Sequence, residues 1–130
     1  MKKKINKNII YSKLAPAAVG TYSQGVSFDN LIYTSGQIPL DPKTNTVVSP
    51  EFEDQINQVL LNMEQVLIAA GSNKNNILKL TVYLTDLSNF DKLNNAFELF
   101  FDSDFPARSV IEVSALPKDV LVEIEAICIK

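Results

Sequence analysis

Arg108 follows Phe105-Pro106-Ala107, where a proline just ahead of an extended run fixes how the chain enters it. An arginine on a rigid strand can hold a carboxylate through two parallel hydrogen bonds. The alternative is a surface arginine paired with a nearby acid. Glu123 stands in Val122-Glu123-Ile124-Glu125-Ala126. Glu123 and Glu125 are two apart, so on a strand they share a face at about 6.6 Å. One of them can orient or deprotonate water, unless both belong to a solvated strand face. Tyr22 lies in the polar loop Gly20-Thr21-Tyr22-Ser23-Gln24-Gly25, which either folds over a site as a lid or makes an ordinary turn with a packed tyrosine. Thr34-Ser35-Gly36-Gln37-Ile38-Pro39 ends a strand with backbone donors and a hydroxyl, suited to binding an anion or to turning the chain. The glycines form no phosphate-binding pattern, because no Gly-rich strand-to-helix turn surrounds them.

What the chain lacks narrows the chemistry further. There is no histidine, which removes Ser-His-Asp and Cys-His catalysis. With no histidine and the single cysteine Cys128, no zinc site is expected, and no internal disulfide can form. Any reaction must use carboxylates, Arg, Lys, Tyr, hydroxyls and backbone groups. The net charge of −3 provides no basic surplus for a nucleic acid. The basic tip Met1-Lys2-Lys3-Lys4 with Lys7 reads as a solvated terminus. It is not followed by the apolar stretch of a signal peptide, since Asn6, Lys7, Asn8 and Tyr11-Ser12-Lys13 interrupt it. No apolar run approaches the ~20 residues of a membrane span. The expectation is a soluble, cytoplasmic protein in a reducing compartment.

The elements that must position these residues can be read from periodicity. The 130 residues fit one domain, 1–130, with 1–13 as an N-terminal strand or partly flexible segment. Ser49-Pro50-Glu51 supplies an N-cap, a proline at the first helical position and an acid in the first turn. Phe52, Ile56, Val59, Leu60, Met63, Val66, Leu67 and Ala70 then recur at helical spacing, with Gly71 as the stop. A second helix is predicted from about Ser88 to Phe101, its stripe of Phe90, Leu93, Phe97, Phe100 and Phe101 assigned to the core. Leu31 to Ser35 is a short strand. Leu78, Leu80, Val82 and Leu84 alternate with Lys79, Thr81 and Tyr83 as a half-buried strand. Arg108 to Val113 forms another. The last runs from Val120 to Ile129, with Val120, Val122, Ile124, Ala126 and Cys128 on one face and Leu121, Glu123, Glu125 and Ile127 on the other. This order predicts an α+β fold, a mixed sheet with two helices on one face. Tyr33, Leu121 and Ile127 are too apolar for an open sheet face, so an oligomer is expected.

In order along the chain, Ala15-Pro16-Ala17-Ala18-Val19-Gly20, Tyr22-Ser23-Gln24-Gly25, Thr34 to Pro39, Val82 to Leu87, Asn94, Phe105 to Ser109, Leu116-Pro117-Lys118-Asp119 and Val122 to Ala126 resemble the RidA (YjgF) family. The resemblance runs from about Ala15 to Ile129. It implies a chorismate-mutase-like α+β fold and a homotrimer with clefts at its subunit interfaces. It also implies hydrolysis of 2-iminopropanoate, 2-iminobutanoate and their enamine tautomers, 2-aminoacrylate among them, to 2-keto acids and ammonia, with no cofactor and no metal.

By the same resemblance Arg108 would hold the substrate carboxylate and Glu123 would position the attacking water. Tyr22, Ser35 and Asn94 would line the cleft, and the backbone at Gly36 and Val110 would contact the ligand. Two positions depart from the family pattern: Thr21 stands where proline is common before the tyrosine, and Val110 where many of these deaminases have cysteine. The competing readings are a non-catalytic, carboxylate-binding regulatory protein and an RNA-binding or endoribonuclease relative. A chorismate mutase would rest on fold alone.

Overall fold

The computed structural model describes residues 6–130, and the basic tip Met1 to Lys4 lies outside them. Six strands and two helices follow in the order β1 (Lys7–Ile10), β2 (Gly25–Phe28), β3 (Leu31–Thr34), α1 (Phe52–Ala69), β4 (Ile77–Leu84), α2 (Phe90–Phe100), β5 (Ala107–Glu112) and β6 (Val122–Ile129). They make one mixed sheet in the order β1-β2-β3-β6-β4-β5. Only β4 and β5 pair in parallel, and α2 supplies the crossover that a parallel pair needs. The predicted fold class is found, and the expected N-terminal strand is β1, antiparallel to β2.

Both helices bury their stripes on the same face of the sheet. Phe52, Ile56, Val59, Met63, Val66 and Leu67 of α1 and Leu93 and Phe97 of α2 share one core with Ile32, Leu80, Val82, Ile124 and Cys128. Full burial of each large aliphatic side chain contributes about 1.5–3 kcal/mol. Helix α1 ends as the sequence predicts. Gly71, at φ 83°, lets Ser72 N–H reach the Leu67 carbonyl and Gly71 N–H that of Ile68.

Its start differs from the prediction. The helix begins at Phe52, and Ser49 Oγ accepts from Glu51 N–H at 3.0 Å ahead of the first turn. Likewise a 3-10 turn over Leu87–Asn89 precedes α2, capped by Asp86, whose Oδ1 accepts from Ser88 N–H at 2.8 Å. In β4 the alternation breaks at Leu78. A register shift between Ile77 and Lys79 buries Ile77 and leaves Leu78 46% exposed, opposite to the sequence reading. The terminal strand proper starts at Val122, and Leu121 is half-buried against the core rather than open on the far face.

The uncovered face carries Ile9, Val26, Tyr33 and Ile127 in one cross-strand row and Phe28, Leu31 and Ile129 in the next. On the same face Glu123 pairs with Tyr83, and Glu125 with Thr81. Tyr83 donates to Glu125 Oε1 at 2.5 Å.

Candidate active site

Strand β5 is an edge strand, and Arg108 is its second residue. Arg108 is in register with Leu80, whose side chain is fully buried, so Arg108 leaves the sheet on the helix-covered side. There Nη1 donates to Asn94 Oδ1 of α2 at 2.8 Å. The guanidinium carbon lies 5.3 Å from the ring centres of both Phe90 and Phe97. One hydrogen bond and two aromatic faces fix the group, and Arg108 lines a cleft of about 470 Å³ together with Asn94, Phe97, Glu98, Phe105 and Pro106. Among the described residues the ion pair found joins Lys92 and Glu53, not Arg108. The reading of a surface arginine neutralised by a neighbouring acid is therefore not what the fold shows.

The aromatic stripe of α2 corrects the sequence reading in part. Phe97 is buried as expected, but Phe90 is 40% exposed, and both rings flank Arg108. The signal was available: Phe90, Asn94 and Phe97 follow one another at helical spacing, a polar residue between two rings.

Val110 is two residues beyond Arg108 on the same edge. Val113 N–H bonds inward to the Leu84 carbonyl. By strand alternation the backbone N–H and C=O of Val110 face away from β4, toward the open edge of the sheet. The side chain packs partly on the core, so the open edge presents backbone there whatever the residue type.

Glu123 occupies a second cleft, of about 510 Å³, with Tyr22, Ser35, Gly36, Lys118 and Asn45 among its walls. Its carboxylate rests on Gly36, and a Cβ built there would stand 2.0 Å from Oε2. The bridge between Gln37 and Ile124 sets this approach, with Gln37 N–H donating to the Ile124 carbonyl at 2.8 Å and Ile124 N–H to the Gln37 carbonyl at 3.1 Å. Burial first, and the charge of Glu125 second, raise the Glu123 pKa above its ordinary value. Such a carboxylate is a better proton acceptor than an exposed one.

The donors expected around Ser35 are already engaged. Its amide bonds the Gln24 carbonyl at 2.9 Å, and its hydroxyl donates to the Ser23 carbonyl at 2.5 Å. Ser35 thus holds the Tyr22 loop in place, and Tyr22 itself is 53% exposed at the cleft mouth.

Three buried amides that the sequence reading passed over position these walls. Gln24 accepts from Ser12 N–H at 2.6 Å and donates to the Pro16 carbonyl at 2.8 Å, tying residues 12–16 down. Asn62 donates to the carbonyls of Ile38 and Leu40 at 3.2 and 2.9 Å. Gln55 donates to the Ser49 carbonyl at 2.9 Å and accepts from Leu121 N–H at 2.8 Å. Gln55 and Asn62 are seven apart within the apolar stripe of α1, and that intrusion of polar residues was the readable sign.

The seven predicted site residues therefore form two groups. Tyr22, Ser35, Gly36 and Glu123 share one cleft, and Asn94 and Arg108 share another with Val110 on the strand beside them. Glu123 is in register with Tyr83 and Arg108 with Leu80, positions three apart on β4, which puts the two candidate side chains on opposite faces of the sheet.

Comparison with known proteins decides the family. The family model described as Endoribonuclease L-PSP matches residues 12–130. The chain belongs to this family, the RidA (YjgF) family. A RutC family protein of Pyrococcus horikoshii is 46% identical over 124 residues, covering 95% of this chain and 98% of that protein. The human 2-iminobutanoate/2-iminopropanoate deaminase is 42% identical over 124 residues, covering 95% and 90%. The crystal structure of Escherichia coli TdcF with bound serine superposes with a TM-score of 0.91 at 40% identity, covering 95% of the RidA-family chain and 98% of TdcF.

Proposed function

We propose that this protein hydrolyses reactive 2-imino and enamino acids, 2-iminobutanoate and 2-iminopropanoate first, to 2-keto acids and ammonia. The observation that carries the reading is the Arg108 guanidinium, held by Asn94 between two aromatic rings and unpaired with any acid among the described residues. It is a prepared carboxylate site. The human relative named for this activity, 42% identical over 95% of the chain, supports it.

The mechanism needs few groups. Arg108 holds the substrate carboxylate, with the outward backbone of Val110 alongside. An iminium carbon is already electrophilic, so correct placement of water supplies much of the catalysis. Glu123 accepts a proton from water as the oxygen bonds to C2 and the C=N electron pair moves to nitrogen. The resulting carbinolamine collapses. Glu123 gives its proton to nitrogen and then takes the hydroxyl proton as the C–N bond breaks, so ammonia leaves and the oxygen becomes the keto oxygen. Proton transfer by such a positioned group contributes typically 10²–10⁴-fold. Tyr22, Ser35 and Gly36 form the wall behind Glu123.

Two half-sites on opposite sheet faces require a second copy. A cyclic homotrimer, in which the β5 edge of one copy covers the Glu123 cleft of the next, brings Arg108 and Glu123 together in three equivalent sites. It also covers the apolar row Ile9, Val26, Tyr33 and Ile127 and an unpaired sheet edge. The reaction as written needs no cofactor, and the single domain acts in the cytoplasm. The net charge of −3 and the lack of histidine weigh against RNA as substrate. The test is a coupled assay with threonine dehydratase. The wild type accelerates release of 2-oxobutanoate and an Arg108 variant does not; equal rates with and without the protein would refute the reading.

A further inference from the structure

Glu123 has neighbours on the uncovered face that the mechanism above leaves unused. Tyr83 stands opposite it on β4, yet its phenol serves Glu125 rather than Glu123. The side chain runs along the strand diagonal, a span of ~7–8 Å that an aromatic residue can bridge, and donates to Glu125 Oε1 at 2.5 Å. Three acidic groups thus meet across two neighbouring strand pairs.

The bond between Tyr83 and Glu125 has one direction. The hydrogen bond to Glu125 first, burial second, and then the charges of Glu125 and Glu123 hold the Tyr83 hydroxyl above its ordinary range. It therefore stays a donor where the carboxylates are ionised and adds no third negative charge. A glutamate left free can turn its charge into water, which screens it. Tethered by Tyr83, the Glu125 carboxylate remains on the face it shares with Glu123, where its charge adds to burial in raising the Glu123 pKa. The other ionisable groups around the pair are Lys79 on β4 and Tyr33 on β3, both opposite Ile127, and Tyr22 and Lys118 in the walls of the Glu123 cleft. Strand β5 brings Ser109 and Ile111 opposite Thr81 and Tyr83, and the proposed trimer adds Arg108 of the next copy. Of these groups Tyr83 is the one that bonds a carboxylate of the pair among the described residues.

We infer that Tyr83 is a positioning residue for the reaction: by fastening the Glu125 carboxylate on the Glu123 face of the sheet, it makes Glu123 a stronger base toward water. This rests on the deaminase reading above and deepens it. Tyr83 has no part in the bond-making steps and acts through Glu125.

The test is the pH profile of kcat/KM on 2-iminobutanoate for the wild type, Tyr83→Phe, Glu125→Gln and the double variant. Tyr83→Phe keeps the ring and removes only the hydroxyl. Its acid limb should move to lower pH, in the same direction as that of Glu125→Gln, with plateau kcat/KM lowered about tenfold at most because the base itself remains. In the Glu125→Gln background the hydroxyl no longer holds a charge, so Tyr83→Phe should leave the limb where Glu125→Gln put it. A limb that Tyr83→Phe leaves in place while Tm falls, that moves to higher pH, or that moves equally with and without the Glu125 charge overturns the role of Tyr83 while the deaminase stands. Keto-acid release by none of the four chains above the rate without protein overturns both.

Discussion

The Glu123 carboxylate occupies the space that any side chain at residue 36 would need: a Cβ on Gly36 would come within 2.0 Å of Oε2 and 2.8 Å of the carboxyl carbon. Gly36 sits at the end of β3, yet its glycine serves the carboxylate rather than a turn. The group it would strike is the far end of a flexible side chain, so the fold can adjust at little cost. Gly36→Ala is therefore expected to leave Tm within a few degrees, consistent with a change of about 1 kcal/mol or less, while kcat/KM falls about 10- to 100-fold through the displaced carboxylate. Thermal unfolding and kinetics on the same preparation check this. A large loss of Tm with kcat/KM retained would contradict it.

Glu123 also sets a pH dependence with a definite sign. Burial and the Glu125 charge raise its pKa, and as a base it works ionised, so kcat/KM should fall as pH drops through a value above the ordinary carboxylate range. Glu125→Gln removes the raising charge and should move this acid limb to lower pH. The measured limb staying in place, or moving up, would remove Glu125 from the electrostatics of the site.

The same shift acts on stability in the opposite sense to activity. A carboxyl whose native pKa is raised contributes stability that is present below its unfolded pKa and lost as pH rises through the native one. Glu123→Gln, neutral throughout, should thus fold with Tm at pH 7 equal to or above that of the wild type. Its turnover should fall at least about tenfold with ligand binding kept. A variant of lower Tm and normal turnover would assign Glu123 to the fold rather than the reaction.

Arg108 gives the fourth expectation. Its fork is aimed by Asn94 and two rings, a geometry that lysine cannot reproduce. Arg108→Ala should abolish measurable deamination in a folded protein, and Arg108→Lys should restore little. Near wild-type hydrolysis of 2-iminobutanoate by folded Arg108→Ala would make the residue structural.

Much of this was legible from residue patterns. The alternation of Val122 to Cys128 and the stripe from Phe52 to Leu67 reported the sheet and its covering helix, because burial on one side imposes a period. Of the seven residues that the family resemblance named, six lie in two clefts, and Val110 stands on the strand beside one of them. Registry was not legible. The bulge at Leu78 depends on pairing with β6, which lies some fifty residues away, and it inverted the assignment of that residue. Nor could one strand's pattern reveal that Arg108 and Glu123 face opposite ways, since that follows from how β5 and β6 both align on β4. The role of Phe90 was hidden for the same reason: only the fold places Arg108 over its ring.

That opposition of faces makes the central claim, a site assembled from two copies, directly measurable. Arg108→Ala chains, inactive alone, and Glu123→Gln chains, at least about tenfold impaired alone, would be unfolded together, refolded as a mixture and assayed on 2-iminobutanoate, with mass photometry checking for the trimer. In a cyclic trimer of randomly assorted chains about one site in four receives an intact Arg108 from one copy and an intact Glu123 from its neighbour. The account predicts recovery of about a quarter of wild-type activity. A mixed, trimeric and inactive preparation, or a stable monomer that is fully active, would contradict it.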